Sequence, residues 1–140
     1  MNTVYFTIPG TPVAKGRARS FIRAGHVAHY TPEKTAKYED LVKLSGRQAM
    51  GAHKPMQGAL SLVCTFWMPV PQSYSKKRTA DCLAGREHPA KKPDTDNILK
   101  AIKDGCNEVV WGDDCQVVDV IARKRYGEVP RAEVLVGVAS

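Results

Sequence analysis

The chain has 140 residues and a mass of 15.4 kDa, a size typical of one domain with its own hydrophobic core. Hydrophobic residues make up 43% and charged residues 25%, which excludes a disordered tail or a low-complexity linker. No apolar run approaches the roughly 20 residues that cross a bilayer, and residues 1–10 lack the features of a secretory signal. We therefore expect one domain over residues 1–140, in a cytoplasmic protein with no membrane partner.

The net charge of +7 is concentrated in two segments. Residues 11–30 hold four basic and no acidic side chains, and residues 70–92 hold six basic and two acidic ones. Both contain Gly, Pro and Ser, as loops do, and basic loops can wrap the phosphates of a nucleic acid. A solvated basic surface that keeps the protein soluble is the alternative. The candidate DNA-binding side chains are Lys15, Arg17, Arg19, Arg23, Lys76, Lys77, Arg78, Lys91 and Lys92.

The first half of the chain predicts a strand, a helix and a second strand. Val4–Ile8 reads as a strand that ends at Pro9-Gly10, and the basic segment follows. Thr31-Pro32-Glu33 is typical of a helix start with the Thr31 hydroxyl as its cap, and helical spacing continues to about Gly51. Gly58–Met68 has strand alternation. One face carries Leu60, Leu62, Cys64 and Phe66, and the other carries Ser61, Val63, Thr65 and Trp67, which favours a central strand.

The second half predicts a helix and two strands. Asp94–Val110 has a helical apolar stripe that includes Ile98 and Ile102. Gln116–Arg125 and Arg131–Val138 alternate, and the residues between them include Gly and Pro, so we expect an antiparallel hairpin. The fold class is therefore α/β (α+β mixed): one compact domain with about four strands in a mixed sheet and two main helices.

Half of the chain's 14 acids lie between Asp94 and Asp119, directly after the second basic segment. Asp94 suits the N-cap of the predicted helix and Asp96 its first turn, which is an ordinary structural use. Capping does not explain a second carboxylate there, nor the pair Asp113-Asp114 in the turn before a strand. A hard cation such as Mg²⁺ explains all of them, if two acids from the helix start and one from the strand start converge.

The cysteines offer a weaker metal site. The four cysteines are widely spaced with no Cys-x-x-Cys pair, so we expect reduced thiols. A zinc site built on Cys82 and His88 would need two more ligands, and the sequence offers no second pair at suitable spacing. Metal chemistry is therefore expected among oxygen ligands.

Lys100 follows Asp96 by one helical turn and lies on the same face. One interpretation is a surface ion pair worth a few tenths of a kcal/mol. The other is catalytic, because an ammonium beside metal-bound carboxylates can offset charge in a transition state or protonate a leaving oxygen.

Two motifs carry a resemblance to a known family. Asp94-x-Asp96-Asn97-x-x-Lys100, followed by Trp111-Gly112-Asp113-Asp114-x-Gln116-Val117-Val118, resembles the signature of the RusA family of Holliday junction resolvases, found in bacteria and often in phages and prophages. The early Pro9-Gly10-x-Pro12-x-x-Lys15-Gly16-Arg17-x-Arg19 is similar to the opening of phage-type members. The resemblance therefore includes nearly the whole chain.

The resemblance implies a homodimeric, Mg²⁺-dependent endonuclease, with Mn²⁺ as a substitute, that places paired symmetric nicks in four-way DNA junctions during recombination and repair. It places metal-binding and catalytic acids at Asp94, Asp96 and Asp114, with Asp113 as a further candidate ligand, and a catalytic lysine at Lys100. Some members carry arginines directly before the first aspartate, where this chain has Lys91-Lys92-Pro93. It also implies a bacterial cytoplasm, with a phage or prophage origin.

Two other functions remain open. A less selective metal-dependent nuclease that cuts flaps or other branched DNA would use the same carboxylates. A non-catalytic protein that binds DNA structures would use them only to cap a helix and tighten a turn. The second alternative predicts equal DNA binding with and without Mg²⁺, and no nicks.

Overall fold

A computed structural model describes residues 1–16, 19–30 and 32–140, and for residues 19–23 and 27–30 it describes the backbone alone. The strands are β1 (Thr3–Pro9), β2 (Arg19–Arg23), β3 (His26–Tyr30), β4 (Leu60–Met68), β5 (Val117–Tyr126) and β6 (Arg131–Val138). The helices are α1 (Glu33–Met50), α2 (Lys76–Leu83) and α3 (Thr95–Cys106), with a 3₁₀ turn at Asp114–Gln116. None of the helices in these ranges is long and apolar enough to cross a membrane.

The main sheet has four strands in the order β1-β6-β4-β5. β4 and β5 are parallel, while β6 pairs antiparallel with both β1 and β4. α3 connects β4 to β5 as the crossover that a parallel pair requires. α1 and α3 contact each other, with α1 also against β1 and α3 against β5. The predicted class, an α+β domain with a four-stranded mixed sheet, is confirmed.

The predicted hairpin of the last two strands is wrong. Both strands exist close to their predicted bounds, but β4 lies between them, and β5 pairs with β4 rather than with β6. β6 is an interior strand in which Val134 stands opposite both Phe6 and Cys64. Alternation marks the buried face of a strand but does not say which strand lies beside it, so the short connection suggested the wrong neighbour. The central position predicted for β4 is confirmed.

Both basic segments, which the sequence predicts to be loops, contain regular structure. In residues 11–30, β2 and β3 form a separate antiparallel pair joined at Ala24-Gly25, where both residues have positive φ, as a two-residue hairpin turn requires. In residues 70–92, α2 begins after Ser75, whose hydroxyl accepts a 3.1 Å hydrogen bond from the backbone of Arg78. The domain therefore has three helices in its described part, not two.

The helix limits agree with the prediction at two ends and differ at the others. α1 ends at Met50 before Gly51, as predicted, but Pro32 occupies its cap position and Thr31 lies outside the described residues. α3 begins after Asp94, as predicted, but stops at Cys106 instead of Val110. After the helix, Glu108 has a positive φ of 66°, and the chain forms a turn there. Trp111, which follows this turn, is completely buried.

Candidate active site

Asp94 and Asp96 lie at the start of α3, where their carboxylates are exposed. Asp94 holds the N-cap position, and its backbone carbonyl accepts a 3.1 Å hydrogen bond from Ile98, yet its side chain makes no capping hydrogen bond. Among the residues the structure describes, neither carboxylate has a hydrogen-bond or ion-pair partner. Helix capping therefore does not account for these two side chains, and their oxygens are available to a ligand.

Lys124 of β5 holds the segment that leads into α3. Its ammonium donates to the backbone carbonyls of Lys91 at 2.5 Å and Pro93 at 2.8 Å. The start of α3 is therefore tied to the carboxyl end of β5. Sequence reasoning missed Lys124, although its place in the strand alternation, beside inward-facing Ala122 and Tyr126, marks it as an unusual inward lysine.

A groove of about 400 Å³ lies beside this segment. Its wall includes the apolar side chains of Met68, Val70 and Tyr126, and Lys91 and Lys92 stand on the same groove. A second groove of about 740 Å³ shares Met68 and Lys92 with it. An apolar wall with exposed ammonium groups suits a ligand that combines flat apolar surface with phosphate.

Lys100 is 62% exposed, and its ammonium lies 3.3 Å from Asp104, one turn further along α3. The pair with Asp96 is not formed among the described residues; Lys100 makes its surface ion pair with Asp104 instead, and its catalytic role stays a prediction. Asp104 also contacts Lys15 at 3.0 Å, and Lys15 contacts Glu39 of α1 at 2.5 Å.

Lys15 is half-buried, and its ammonium is paired with two carboxylates. Burial lowers the pKa of Lys15, but hydrogen bonds and the charges of Glu39 and Asp104 outweigh it, so the net pKa is raised. Its backbone N–H also donates to the carbonyl of Asn97 at 2.8 Å. Lys15 thus links the segment after β1 to α1 and α3, and a contact between Lys15 and DNA stays a prediction.

Asp113 and Asp114 have different structural tasks. Asp113 caps the 3₁₀ turn by accepting a 3.0 Å hydrogen bond from the backbone of Cys115, which lowers the pKa of Asp113. The Gln116 side chain accepts from the backbone of Asp113 in return. Asp114 accepts a 2.8 Å hydrogen bond from the indole N–H of the buried Trp111. One oxygen of Asp114 is therefore engaged, and Asp113 is used mainly as a cap.

The two acidic groups lie at opposite ends of α3. Asp94 and Asp96 are at its start, whereas the turn with Trp111 follows its end, with the backbone of Glu108 donating to Trp111 at 2.7 Å. A helix of 12 residues is about 18 Å long. Within the described ranges, no group of three or more His, Cys, Asp or Glu side chains could hold a metal ion. The predicted convergence of three acids is therefore not formed within one chain.

This geometry fits a divalent cation in part. Mg²⁺ is commonly bound by one or two carboxylates, with waters and substrate phosphates completing its shell. Asp94 and Asp96 offer two such carboxylates without competing protein partners in the described structure. Asp114 does not join them in the same chain, and the roles of all three stay predictions.

The other basic candidates differ in availability. Lys76 and Lys77 are exposed in the first turn of α2. Arg78 donates to Glu87 at 3.0 Å and lies 3.6 Å above the ring of Tyr74, so its guanidinium is already engaged. A hydrogen bond from Arg78 correspondingly lowers the pKa of Glu87. Arg17 lies outside the described residues, as do the side chains of Arg19 and Arg23.

Comparison with known proteins places these residues in a family. The family described as Endodeoxyribonuclease RusA matches residues 9–137, a range that includes both acidic groups and Lys100. The chain is also 38% identical over 141 residues to the uncharacterized protein YqaN of Bacillus subtilis (strain 168), covering 97% of this chain and 96% of that protein. The chain belongs to the RusA endodeoxyribonuclease family.

Proposed function

We propose that this protein resolves Holliday junctions by placing paired symmetric nicks with the help of Mg²⁺, for which Mn²⁺ can substitute. The observation that carries the proposal is the start of α3, where Asp94 and Asp96 are exposed and unpaired in the described structure beside the Lys91–Lys92 segment. Unpaired carboxylates repel DNA phosphates, so their place beside a basic segment is unfavourable for simple DNA binding. A bound divalent cation removes that conflict.

The basic residues supply contacts to the DNA backbone. Lys76 and Lys77 stand at the amino end of α2, where no acid balances them in the first turn and the helix dipole opposes their charge. A phosphate at this position is attracted both by the ammonium groups and by the dipole. Lys91 and Lys92 add exposed positive charge in the segment that directly precedes the acidic pair.

The chemistry divides between a bound cation and the chain's own side chains. The cation supplies Lewis-acid activation of water and neutralises charge on the scissile phosphate. Asp94 and Asp96 hold it at the α3 start, which Lys124 ties to β5. Lys100 extends from the next turn of α3, where its ammonium stabilises the developing negative charge or protonates the leaving oxygen. The ammonium of Lys100 lies 3.3 Å from the carboxylate of Asp104 and stays exposed.

Paired cleavage needs two sites, which a homodimer provides. A four-way junction has approximate twofold symmetry, so a twofold protein dimer can present the same carboxylates to two strands.

We also propose that the protein acts in the cytoplasm of a bacterial host, which is consistent with its family. The similarity of the segment that begins at Pro9-Gly10 to the opening of phage-type members supports a phage or prophage origin.

The test is a cleavage panel with three labelled substrates: a mobile four-way junction, a flap and a linear duplex. With Mg²⁺ or Mn²⁺ we expect rapid cleavage of the junction alone, and with EDTA binding without cleavage. Equal cleavage of flap and junction would instead support a less selective branched-DNA nuclease. Binding that is unchanged by Mg²⁺, with no nicks, would show a non-catalytic DNA-binding protein.

Two variants separate the site from a general effect of charge. Asp96→Asn removes one carboxylate of the acidic pair and should abolish cleavage while junction binding survives. Asp40→Asn changes an exposed acid of α1 and should cut at the wild-type rate. Equal rates for wild type and Asp96→Asn in limiting Mg²⁺ would remove Asp96 from the site.

A further inference from the structure

Lys100 has two acidic neighbours on α3, and the structure pairs it with the one that helix electrostatics favours less. Asp96 lies four residues before Lys100, and Asp104 lies four residues after it. At this spacing an acid that precedes a base pairs better than one that follows it, and the helix dipole favours anions near the helix start. Lys100 nevertheless lies 3.3 Å from Asp104, and Asp96 has no ion pair in the described structure. Contacts from outside α3 must therefore decide the partner of Lys100.

Asp104 is held in place by such contacts. Its Oδ2 atom lies 3.0 Å from the ammonium of Lys15, and its Oδ1 atom lies 3.3 Å from the ammonium of Lys100. Lys15 is itself fixed by the carboxylate of Glu39 at 2.5 Å and by a 2.8 Å hydrogen bond from its backbone N–H to the carbonyl of Asn97. Lys15 thus fixes one oxygen of Asp104 and leaves the other to Lys100.

The charges of this group also favour Lys100. Glu39, Lys15 and Asp104 bring two carboxylates against one ammonium, and the ammonium of Lys100 balances the excess negative charge. These three side chains are between 17% and 25% exposed, so water and salt screen them less than they screen the exposed carboxylate of Asp96. Lys100 therefore gains more from Asp104 than from Asp96.

The choice of partner matters because an ammonium on Asp96 would compete with a cation. A lysine that pairs with a carboxylate offsets its charge and occupies its oxygens, so a divalent cation must displace the lysine before it binds. With Lys100 on Asp104, the carboxylate of Asp96 keeps its charge and its oxygens available in the described structure.

We propose that Asp104, anchored by Lys15, is a positioning residue that holds Lys100 away from Asp96 and so keeps that carboxylate open to a divalent cation. The placement of Lys100 follows from distances, burial and charge. The use of Asp96 by a cation rests on the proposed nuclease function.

Carbodiimide coupling tests the placement without metal or activity, because this reagent joins an amine directly to a carboxylate that it contacts. After digestion and mass spectrometry, wild type should show Lys100 joined mainly to Asp104. In Asp104→Asn the amide cannot couple, so Lys100 should be joined to Asp96 instead. Glu39→Gln removes the same charge from the group without touching Lys100, and its product should match that of wild type.

Two results of this coupling experiment would overturn the placement. One is an Asp96–Lys100 product that is no more abundant in Asp104→Asn than in wild type. The other needs no variant to fold: wild-type protein in which Lys100 couples mainly to Asp96.

Mn²⁺ binding, followed by electron paramagnetic resonance of the free ion, tests the consequence without cleavage. An exposed helical ion pair is present about twice as often as it is broken, so a Lys100 that pairs with Asp96 should weaken Mn²⁺ binding about threefold. Asp104→Asn should show this loss when Lys100 is present and little loss in the Lys100→Ala background. Glu39→Gln should bind Mn²⁺ nearly as tightly as wild type. Equal losses in both backgrounds would show a general charge effect and overturn the proposal.

The two experiments together separate failure of this inference from failure of the nuclease proposal. If Lys100 couples as expected but wild type neither binds Mn²⁺ nor cuts a junction, the nuclease function is wrong, and the positioning of Lys100 by Asp104 stands. If wild type binds Mn²⁺ and cuts the junction while Lys100 stays away from Asp96 in Asp104→Asn, the inference alone is wrong.

Discussion

At the residue scale, Asp114 combines a structural contact with its candidate catalytic role. Its carboxylate accepts from the indole of Trp111, which is completely buried. Loss of activity on replacing Asp114 is therefore ambiguous unless stability is measured as well. The second oxygen of the carboxylate accepts no hydrogen bond in the described structure. The choice of substitution can therefore separate the contact with Trp111 from the candidate catalytic role.

We predict that Asp114→Ala lowers the free energy of unfolding by about 1–3 kcal/mol, because it leaves the buried indole N–H without an acceptor. Asp114→Asn keeps an oxygen in place and should cost well under half as much. Both variants should lose cleavage. Urea unfolding followed by tryptophan fluorescence measures the difference. Equal stability of the two variants would show that the indole contact contributes little.

Lys100 gives the clearest separation of catalysis from surface electrostatics. Lys100→Ala breaks an exposed pair with Asp104 and should cost about 0.3–0.5 kcal/mol of stability. A positioned acid or charge contributes far more to the reaction, so the single-turnover rate should fall by roughly 100-fold or more. Quenched-flow cleavage at saturating protein measures this rate.

The matched control is Lys37→Ala, which breaks an i,i+4 pair with Glu33 on α1. It should cost similar stability and leave cleavage unchanged. Lys100→Arg separates charge from proton donation, because a guanidinium keeps the charge but gives up a proton poorly. A wild-type single-turnover rate for Lys100→Ala would remove Lys100 from the catalytic residues.

Sequence spacing located the acids and Lys100, but not the contacts that fix them. Asp94, Asp96 and Lys100 follow local helical spacing, which a sequence displays directly. The links from Lys124 to Pro93, and from Lys15 to Asp104, join residues far apart in the chain. No local pattern specifies such partners. The Asp96–Lys100 pair was wrong for a different reason, since Asp104 is an equally local partner for Lys100 one turn later on the same helix.

At the scale of elements, the position of α3 depends on a close crossing with α1. A Cβ on Gly105 would lie 2.5 Å from Cγ1 of Val42, which is fully buried. α3 carries Asp94, Asp96 and Lys100, so this contact helps to set the candidate site relative to the sheet.

We predict that Gly105→Ala destabilises the protein by about 1–3 kcal/mol, because overpacking outweighs the roughly 1 kcal/mol that alanine gains over glycine in a helix. Gly46→Ala is the matched helical control. Its Cβ would lie 3.1 Å from Val110, a milder contact, so the propensity gain should leave stability near the wild-type value. Urea denaturation tests both, and an unchanged midpoint for Gly105→Ala would show that the helices can separate at little cost.

The element scale also shows where sequence reasoning succeeds. Strong periodicity predicted β4, α1 and the start of α3, because each buries a continuous face. The pairing of β5 and β6 was not predictable in this way, since it depends on the insertion of β6 between β1 and β4. α2 was missed because its eight residues bury only Cys82, so the segment shows little hydrophobic periodicity.

At the scale of the whole molecule, the surface charge should determine DNA affinity. We predict that Lys76→Gln/Lys77→Gln weakens junction binding and flattens the log–log salt dependence by roughly one unit for each lost phosphate contact. Lys37→Gln/Lys54→Gln removes the same charge outside the two basic segments and should leave the slope nearly unchanged. Fluorescence anisotropy across a salt series measures both. An unaltered slope for the first pair would assign Lys76 and Lys77 to a solvated surface.

The most direct test of paired junction cleavage uses a supercoiled plasmid that extrudes a cruciform, which is a four-way junction within closed DNA. Paired symmetric nicks made within one binding event convert the plasmid to linear molecules, whereas separate single nicks produce open circles first. With Mg²⁺, the wild-type protein should yield linear product from the earliest times, and Asp96→Asn should yield none. Accumulation of open circles before linear DNA, or a supercoiled plasmid untouched by wild type in Mg²⁺, would contradict paired cleavage of junctions by this protein.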